Sequence, residues 1–183
     1  MLSKLLNGPK MVMLLVALTF NVSVIAQVGG WNPELENEAK EALSKMLEKS
    51  PKLESFKQKA YGYVVFPRVT KAGLGIGGAA GNGIVYKNHE IIGSSKLKQA
   101  SIGFQAGGQQ YSEVIFFENK KAFNHFINGN LKFDSQASAV AITVGASVDV
   151  AYKNGVAVFT HTLGGLMYEA SIGGQHFKYK SKK

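Results

Sequence analysis

A glycine motif is the pattern in this sequence that could bind a nucleotide. Residues 73–78 read Gly-Leu-Gly-Ile-Gly-Gly and match G-x-G-x-x-G. In a dinucleotide-binding fold these glycines open a helix, whose N-terminus meets the pyrophosphate. Here another glycine-rich, strand-like stretch follows, and no Gly-Lys-Ser/Thr comes after a glycine loop. We therefore expect no nucleotide site, and interpret Gly73, Gly75 and Gly77 as structural residues on one face of a strand, where they let another backbone or helix approach closely.

The histidines, nucleophiles and carboxylates form no catalytic or metal-binding pattern. The 183 residues include no cysteine, and the histidines, His89, His125, His161 and His176, are all more than four residues apart. The His-x-x-x-His spacing of many metal sites is therefore missing. His161 and Asp149 could join a serine in a hydrolase triad, but no Gly-x-Ser-x-Gly elbow occurs. We predict that the protein is not an enzyme and has no metal or cofactor.

The basic residues point to an anionic partner. The chain has 21 Lys and Arg against 12 Asp and Glu, a formal charge of +9, and residues 55–183 alone hold 15 basic and 6 acidic residues. Such a charge favours phospholipid headgroups or nucleic acid. Lysines at strand edges and turns can also serve solubility alone. We expect no nucleic acid as partner, because the sequence shows no nucleic-acid motif and begins with an export signal.

That signal occupies residues 1–26. Lys4 and Lys10 form a positive start, ten apolar residues follow, and Val-Ile-Ala at residues 24–26 offers a cleavage site. The apolar run is shorter than the ~20 residues that span a membrane. We expect cleavage before Gln27, which leaves residues 27–183 as a single mature domain. The expected location is the periplasm or the outside of the cell, where the protein could lie on the periphery of a membrane.

Two helices are predicted at the start of the mature chain. Asn32 and Pro33 are typical of a helix start, and apolar residues then recur at helical spacing as far as Lys49. Ser50 and Pro51 end this amphipathic helix and begin a shorter one. Residues 33–59 are therefore predicted to form a helical segment.

Residues 60–180 have the pattern of a β-rich core with one helix. Strands are predicted from Tyr61 to Pro67 and on both sides of a turn at residues 87–89. A further strand is predicted at residues 112–117, and its residues 114–117 are apolar on both faces, which is typical of a central strand covered on both sides. A helix near residues 119–128 follows, capped by Asn119.

The C-terminal third predicts more strands. Residues 139–150 alternate large and small side chains, as in a strand with one core face and one smooth face. The Asn154-Gly155 pair predicts a two-residue hairpin turn that pairs Tyr152 with Ala157 and Val150 with Phe159. One or two strands are expected within residues 166–179. The predicted fold class is α+β, with seven or more strands in a mostly antiparallel, strongly twisted sheet or partly closed barrel or sandwich.

Several segments together resemble the SYLF domain, over about residues 33–180. They are Ala-Tyr-Gly-Tyr-Val-Val-Phe-Pro at residues 60–67, Lys-Ala-Gly at 71–73, Gly-Asn-Gly at 81–83, Gly-Phe-Gln-Ala-Gly-Gly-Gln at 103–109, and Gly-Leu-Met-Tyr-Glu-Ala-Ser at 165–171. Gly107 and Gly108 belong to this set and are interpreted as structural. The resemblance implies a non-enzymatic domain that binds phosphoinositides or other anionic phospholipids and, in yeast members, actin filaments. We do not expect actin binding from an exported protein.

The resemblance also implies membrane contact through an N-terminal amphipathic helix and basic residues. The matching helix at residues 33–49 is net acidic here. We therefore assign the contact to basic side chains near the Lys-Ala-Gly segment and in the C-terminal tail. The predicted lipid-binding residues are Lys57, Lys59, Arg68, Lys71, Lys96, Lys98, Lys178 and Lys180.

Two functions stay open. The first is a secreted or periplasmic protein that binds an anionic phospholipid membrane through a basic face. The alternative is a structural or partner-binding protein of the cell envelope, without enzymatic activity. In that case the small side chains of residues 139–147 would accept another protein or a second copy of the chain.

Overall fold

The computed structural model describes residues 32–74, 76–102, 107–133, 140–141, 151–164 and 172–182. The predicted signal at residues 1–26 lies outside this part. Three helices and seven strands are described: α1 (Pro33–Lys49), α2 (Lys52–Lys59), β1 (Gly62–Leu74), β2 (Ile76–Lys87), β3 (Glu90–Ile102), β4 (Gly107–Phe117), α3 (Lys120–Ile127), β5 (Val140–Ala141), β6 (Val156–Gly164) and β7 (Gln175–Ser181). Within the described ranges, we find no helix with the length and apolar content that a membrane span requires.

The strands form one sheet in the order β5-β6-β4-β1-β2-β3-β7. All neighbours are antiparallel except β5, which runs parallel to β6. The order does not return to its start, so the sheet is open across the described strands. The predicted α+β class with a mostly antiparallel sheet is confirmed.

Helices α1 and α2 cover one face of the sheet, which we call the outer face. The Asn32 side chain accepts a hydrogen bond from the Glu34 backbone N–H at 2.9 Å, so α1 begins where predicted. The apolar stripe of α1, with Ala39 and Met46 fully buried, packs on strand residues such as Val65. The amphipathic helix is therefore used to cover the sheet.

Helix α3 covers part of the opposite face, which we call the inner face. Phe126 of α3 lies 4.9 Å from Phe117 of β4 between ring centroids, and 5.4 Å from Phe177 of β7. Strand β4 lies between β6 and β1 with apolar side chains buried on both faces. Its predicted central position is confirmed.

The cap of α3 offers a test of how much one local signal contributes. The Asn119 side chain accepts a hydrogen bond from the Ala122 backbone N–H at 3.0 Å, as predicted for a cap. Replacing Asn119 with Ala should lower the free energy of unfolding by about 1 kcal/mol, because that N–H loses its partner. Urea denaturation measures the change. Asn130→Ala, at an exposed position after the helix, is the control, and an equal loss in both variants would contradict the capping role.

Two predictions about β1 are wrong. Pro67 does not end the strand, because β1 continues to Leu74 after a register shift between Val65 and Arg68. Gly73 and Gly77 do not share a strand either: they face each other across the β1–β2 pair. Gly107 of β4 pairs with Gly73 on its other side, so Gly107, Gly73 and Gly77 lie in a row across three strands. Gly108 pairs with Ala72. Gly75 lies outside the described residues.

Both predicted turns occur at the expected residues. The strand pairing predicted around the second turn, at Asn154 and Gly155, is wrong. Asn88 and His89, with φ of 49° and 66°, connect β2 to β3. Asn154 and Gly155, with φ of 54° and 77°, form the other left-handed turn. Beyond the single bridge of Lys153 with Val156, however, β6 pairs with β4 and β5.

Phe159 is the residue that shows this difference most clearly. Its described partners are Val114 on β4 and Val140 on β5. Val150, its partner in the hairpin prediction, lies outside the described residues. Tyr152, predicted to pair with Ala157, lies outside any strand. The alternation at residues 139–150 falls largely outside the described residues, of which 140–141 form β5. The predicted C-terminal strand is present as β7.

Candidate functional site

Strand register collects basic side chains on the outer face. Arg68 on β1 pairs with Asn82 on β2, Asn82 with Lys96 on β3, and Lys96 with Lys178 on β7. Lys98 and Lys180 lie two residues further along β3 and β7, and therefore on the same face. We define the basic face as Arg68, Lys96, Lys98, Lys178 and Lys180.

The residues of the basic face form no ion pairs within the described part of the chain. None of its five residues forms an ion pair with another described residue, whereas Lys40, Lys45 and Lys57 pair with glutamates of their own helices. Lys96 stands directly opposite Lys178, so their Cβ atoms lie about 5 Å apart. Like charges on directly opposed residues lower stability. An anion bound between them would relieve this repulsion.

A groove of about 400 Å³ runs between the basic face and the start of α1. Arg68, Lys96 and Lys98 line it together with Asn82 of β2. Leu35 and Glu38 of α1 form part of the same lining, and Glu38 is its one carboxylate. The groove therefore offers three cations and an amide to an anionic group.

The other predicted lipid-binding residues lie elsewhere. Lys57 and Lys59 belong to α2, whose Phe56 packs on Phe159 of β6 at 5.0 Å between ring centroids, near the edge of the sheet opposite β7. Lys57 also lies 3.5 Å from Glu54. Lys71 is buried on the inner face, with 3% of its surface exposed. The structure therefore brings together five of the eight predicted residues.

The inner face also holds a polar pair that was not among the predicted site residues. Glu113 of β4 is completely buried and accepts a hydrogen bond from the Gln175 side chain of β7 at 3.0 Å. Three strands separate β4 from β7 in the sheet, so this contact requires the sheet to curl around its inner face. Burial raises the pKa of Glu113 to about 7, although the hydrogen bond from Gln175 acts in the opposite direction.

The sequence signal for both faces of the sheet is the alternation of charged and apolar residues along the strands. Lys96 and Lys98 flank the buried Leu97, just as Lys178 and Lys180 flank the half-buried Tyr179. Glu113 occupies the same alternating set as Ile115 and Phe117, which predicts that it points into the core.

Comparison with known proteins supports the identity of this domain. Residues 98–182 match the family described as Ysc84, Las17-binding protein actin regulator. The chain is also 28% identical over 156 residues to Beta cell expansion factor A of Aeromonas veronii. That alignment covers 80% of this chain and 59% of the relative, so the chain spans less than two thirds of its length. Residues 98–182 are thus similar to the Ysc84 (SYLF) family, which agrees with the resemblance noted in the sequence.

Proposed function

We propose that this protein is exported and binds anionic phospholipid membranes through its basic face. The single observation that carries the proposal is the pairing of Lys96 with Lys178, two lysines placed opposite each other, neither of which forms an ion pair with another described residue. The SYLF family, to which lipid binding is attributed, makes a phospholipid the preferred anion.

Electrostatics sets the expected strength of this interaction. A lysine or arginine close to an anionic membrane contributes about 1 kcal/mol. Because four of the five residues are exposed and Lys96 is half-buried, salt at physiological concentration screens their charges over about 8 Å. Five such residues support reversible, salt-sensitive binding rather than permanent attachment. A phosphate group can enter the groove beside Arg68, while Lys178 and Lys180 contact neighbouring headgroups.

Helix α1 limits how the protein can meet the membrane. Its apolar side is already buried on the sheet through Ala39, Leu43 and Met46. Insertion of this side into lipid would expose the strand residues beneath it. We therefore propose surface contact by the basic face with α1 retained on the sheet. The family description names Las17 binding and actin regulation, and we propose neither for an exported protein.

Neutralising the like-charged pair tests the proposal. The double variant Lys96→Gln with Lys178→Gln should bind phosphatidylglycerol vesicles about 30-fold more weakly at low salt, since two lysines contribute about 2 kcal/mol. Vesicle co-sedimentation with the mature protein measures the affinity. The wild-type affinity should fall as salt is raised, and neutral phosphatidylcholine vesicles should not bind.

The matched control removes the same charge elsewhere. Lys120 and Lys121 are exposed residues at the start of α3, on the inner-face side of the sheet. Their double replacement by Gln should reduce vesicle affinity much less than the Lys96 and Lys178 variant does. Equal losses in both double variants would show that only net charge matters. Such a result, or equal binding to neutral vesicles, would overturn the proposed basic face.

A further inference from the structure

The groove beside the basic face contains one acidic side chain among its cations. Glu38 of α1 lines it together with Arg68, Lys96 and Lys98. Glu38 is half-buried and forms no ion pair with another described residue, although two other glutamates of α1 pair with lysines of the same helix. A carboxylate in this place repels a phosphate group. The mixture suits a ligand that carries hydrogen-bond donors as well as an anionic group.

The two sides of the groove differ in what they can bind. The cations stand on the sheet, Arg68 in β1 and Lys96 and Lys98 in β3, whereas Glu38 stands on the helix. Lysine and arginine only donate hydrogen bonds, and an ionised glutamate only accepts them. Asn82 of β2 pairs with both Arg68 and Lys96 and adds an amide between them. Phosphate oxygens therefore fit the sheet side, and hydroxyl groups fit the helix side.

The groove also has room for the carbon atoms of a headgroup. Its volume of about 400 Å³ falls within the usual size of small-molecule sites, about 300–1,000 Å³. Leu35, Pro67 and Ala80 supply apolar surface to its lining. A phosphate ion alone would use neither this apolar surface nor the carboxylate of Glu38. The lining therefore favours a phosphate that carries a small organic group with hydroxyls.

We propose that the groove binds the headgroup of a single phospholipid in which a glycerol diol follows the phosphate, as in phosphatidylglycerol. Arg68, Lys96 and Lys98 contact the phosphate, and Glu38 accepts hydrogen bonds from the diol. This inference rests on the proposed membrane binding and adds to it a choice among lipids of equal charge. Further phosphates in place of the hydroxyls would bring negative charge against Glu38, so such headgroups are disfavoured.

Vesicles of equal surface charge isolate the role of the hydroxyl groups. Phosphatidylcholine vesicles receive the same fraction of either phosphatidylglycerol or phosphatidylethanol, which has the same single negative charge but no hydroxyl group. The mature protein should bind the phosphatidylglycerol vesicles about tenfold more tightly at low salt, the effect of one hydrogen bond to a charged group. Co-sedimentation measures both affinities. Equal affinities would overturn this inference alone, whereas no salt-sensitive binding to either vesicle would overturn the proposed function and this inference together.

Removing the carboxylate tests Glu38 itself. Glu38→Ala should bind the two kinds of vesicle equally, and it should bind phosphatidylethanol more tightly than the wild type does, because the repulsion is gone. Glu34→Ala is the matched control, since it removes the same charge about one turn earlier in α1, outside the groove lining. This control should keep the tenfold preference. A preference retained by Glu38→Ala, or lost equally in both variants, would overturn the role of Glu38.

A headgroup with more phosphates separates the glycerol diol from simple attraction to phosphate. Vesicles that carry phosphatidylinositol bisphosphate, compared at equal surface charge, should bind the wild type no more tightly than phosphatidylglycerol vesicles do. Tighter binding to these vesicles would overturn the assignment of a glycerol headgroup and would identify the additional phosphates as the recognised feature.

Discussion

Replacing Glu113 with Gln should stabilise the protein by about 3 kcal/mol at about pH 8 and leave its stability unchanged near pH 4. The reason is the raised pKa of this buried carboxyl, about 7 in the folded protein, against about 4.3 in an unfolded chain. Gln resembles the protonated acid in shape and cannot ionise. Its amide oxygen can still accept the hydrogen bond from Gln175.

The sign follows from proton binding. Between about pH 4.3 and 7 the folded protein holds the Glu113 proton while the unfolded chain releases it, so raising the pH favours unfolding. The contribution of Glu113 to stability is therefore complete below the unfolded pKa and is lost as the pH rises through about 7. A pKa difference of three units corresponds to about 4 kcal/mol, and the difference between about 7 and about 4.3 is slightly smaller.

Urea denaturation of both proteins across this pH range measures the effect. The difference in unfolding free energy between Glu113→Gln and wild type should grow with pH and level off above about pH 8. Glu90→Gln, at an exposed position in β3, is the control and should follow the wild-type curve. Parallel curves for Glu113→Gln and wild type would show that Glu113 does not titrate with a raised pKa.

Local signals predicted the helices and turns well, because the interactions that form them are local. Asn32 and Asn119 each cap a helix by accepting a hydrogen bond from a backbone N–H two or three residues further along the chain. The left-handed turn residues likewise depend only on their immediate neighbours in sequence. The path of β1 was not predictable in this way. Within a sheet, proline is confined to edge strands, first residues and bulges. A register shift between Val65 and Arg68 therefore lets β1 continue past Pro67.

The candidate site was predictable only as far as it depends on local sequence patterns, because the order of the strands is set by residues far apart in the chain. Alternation places Lys96 and Lys98 on one face, yet nothing local aligns Lys96 with Lys178, which lies 82 positions away along the chain and pairs through the order of strands. Lys71 was grouped with Arg68 because the two are close in sequence. An odd spacing within one strand puts them on opposite faces, and the structure buries Lys71 on the inner face.

Gly93 is the position where one added methyl group should disturb both stability and the basic face. It lies in β3 opposite Ser181 of β7. The Tyr179 ring lies against it, and the Tyr179 hydroxyl donates a hydrogen bond to the Ile92 carbonyl at 2.9 Å. A Cβ at Gly93 would clash with the Lys180 carbonyl oxygen and stand 2.6 Å from the Tyr179 ring. Strand β7 must move to accept it.

Gly93→Ala should therefore lower the free energy of unfolding by about 3 kcal/mol, the upper part of the range for overpacked sites. The amides of β7 should lose hydrogen-exchange protection before those of β4, and vesicle affinity should fall because Lys178 and Lys180 move with β7. Gly108→Ala is the control, since its Cβ would lie 3.8 Å from the Lys71 carbonyl oxygen, an ordinary contact. Unchanged β7 protection in Gly93→Ala would show that this strand is not held by the close approach at Gly93, and that vesicle binding does not depend on it.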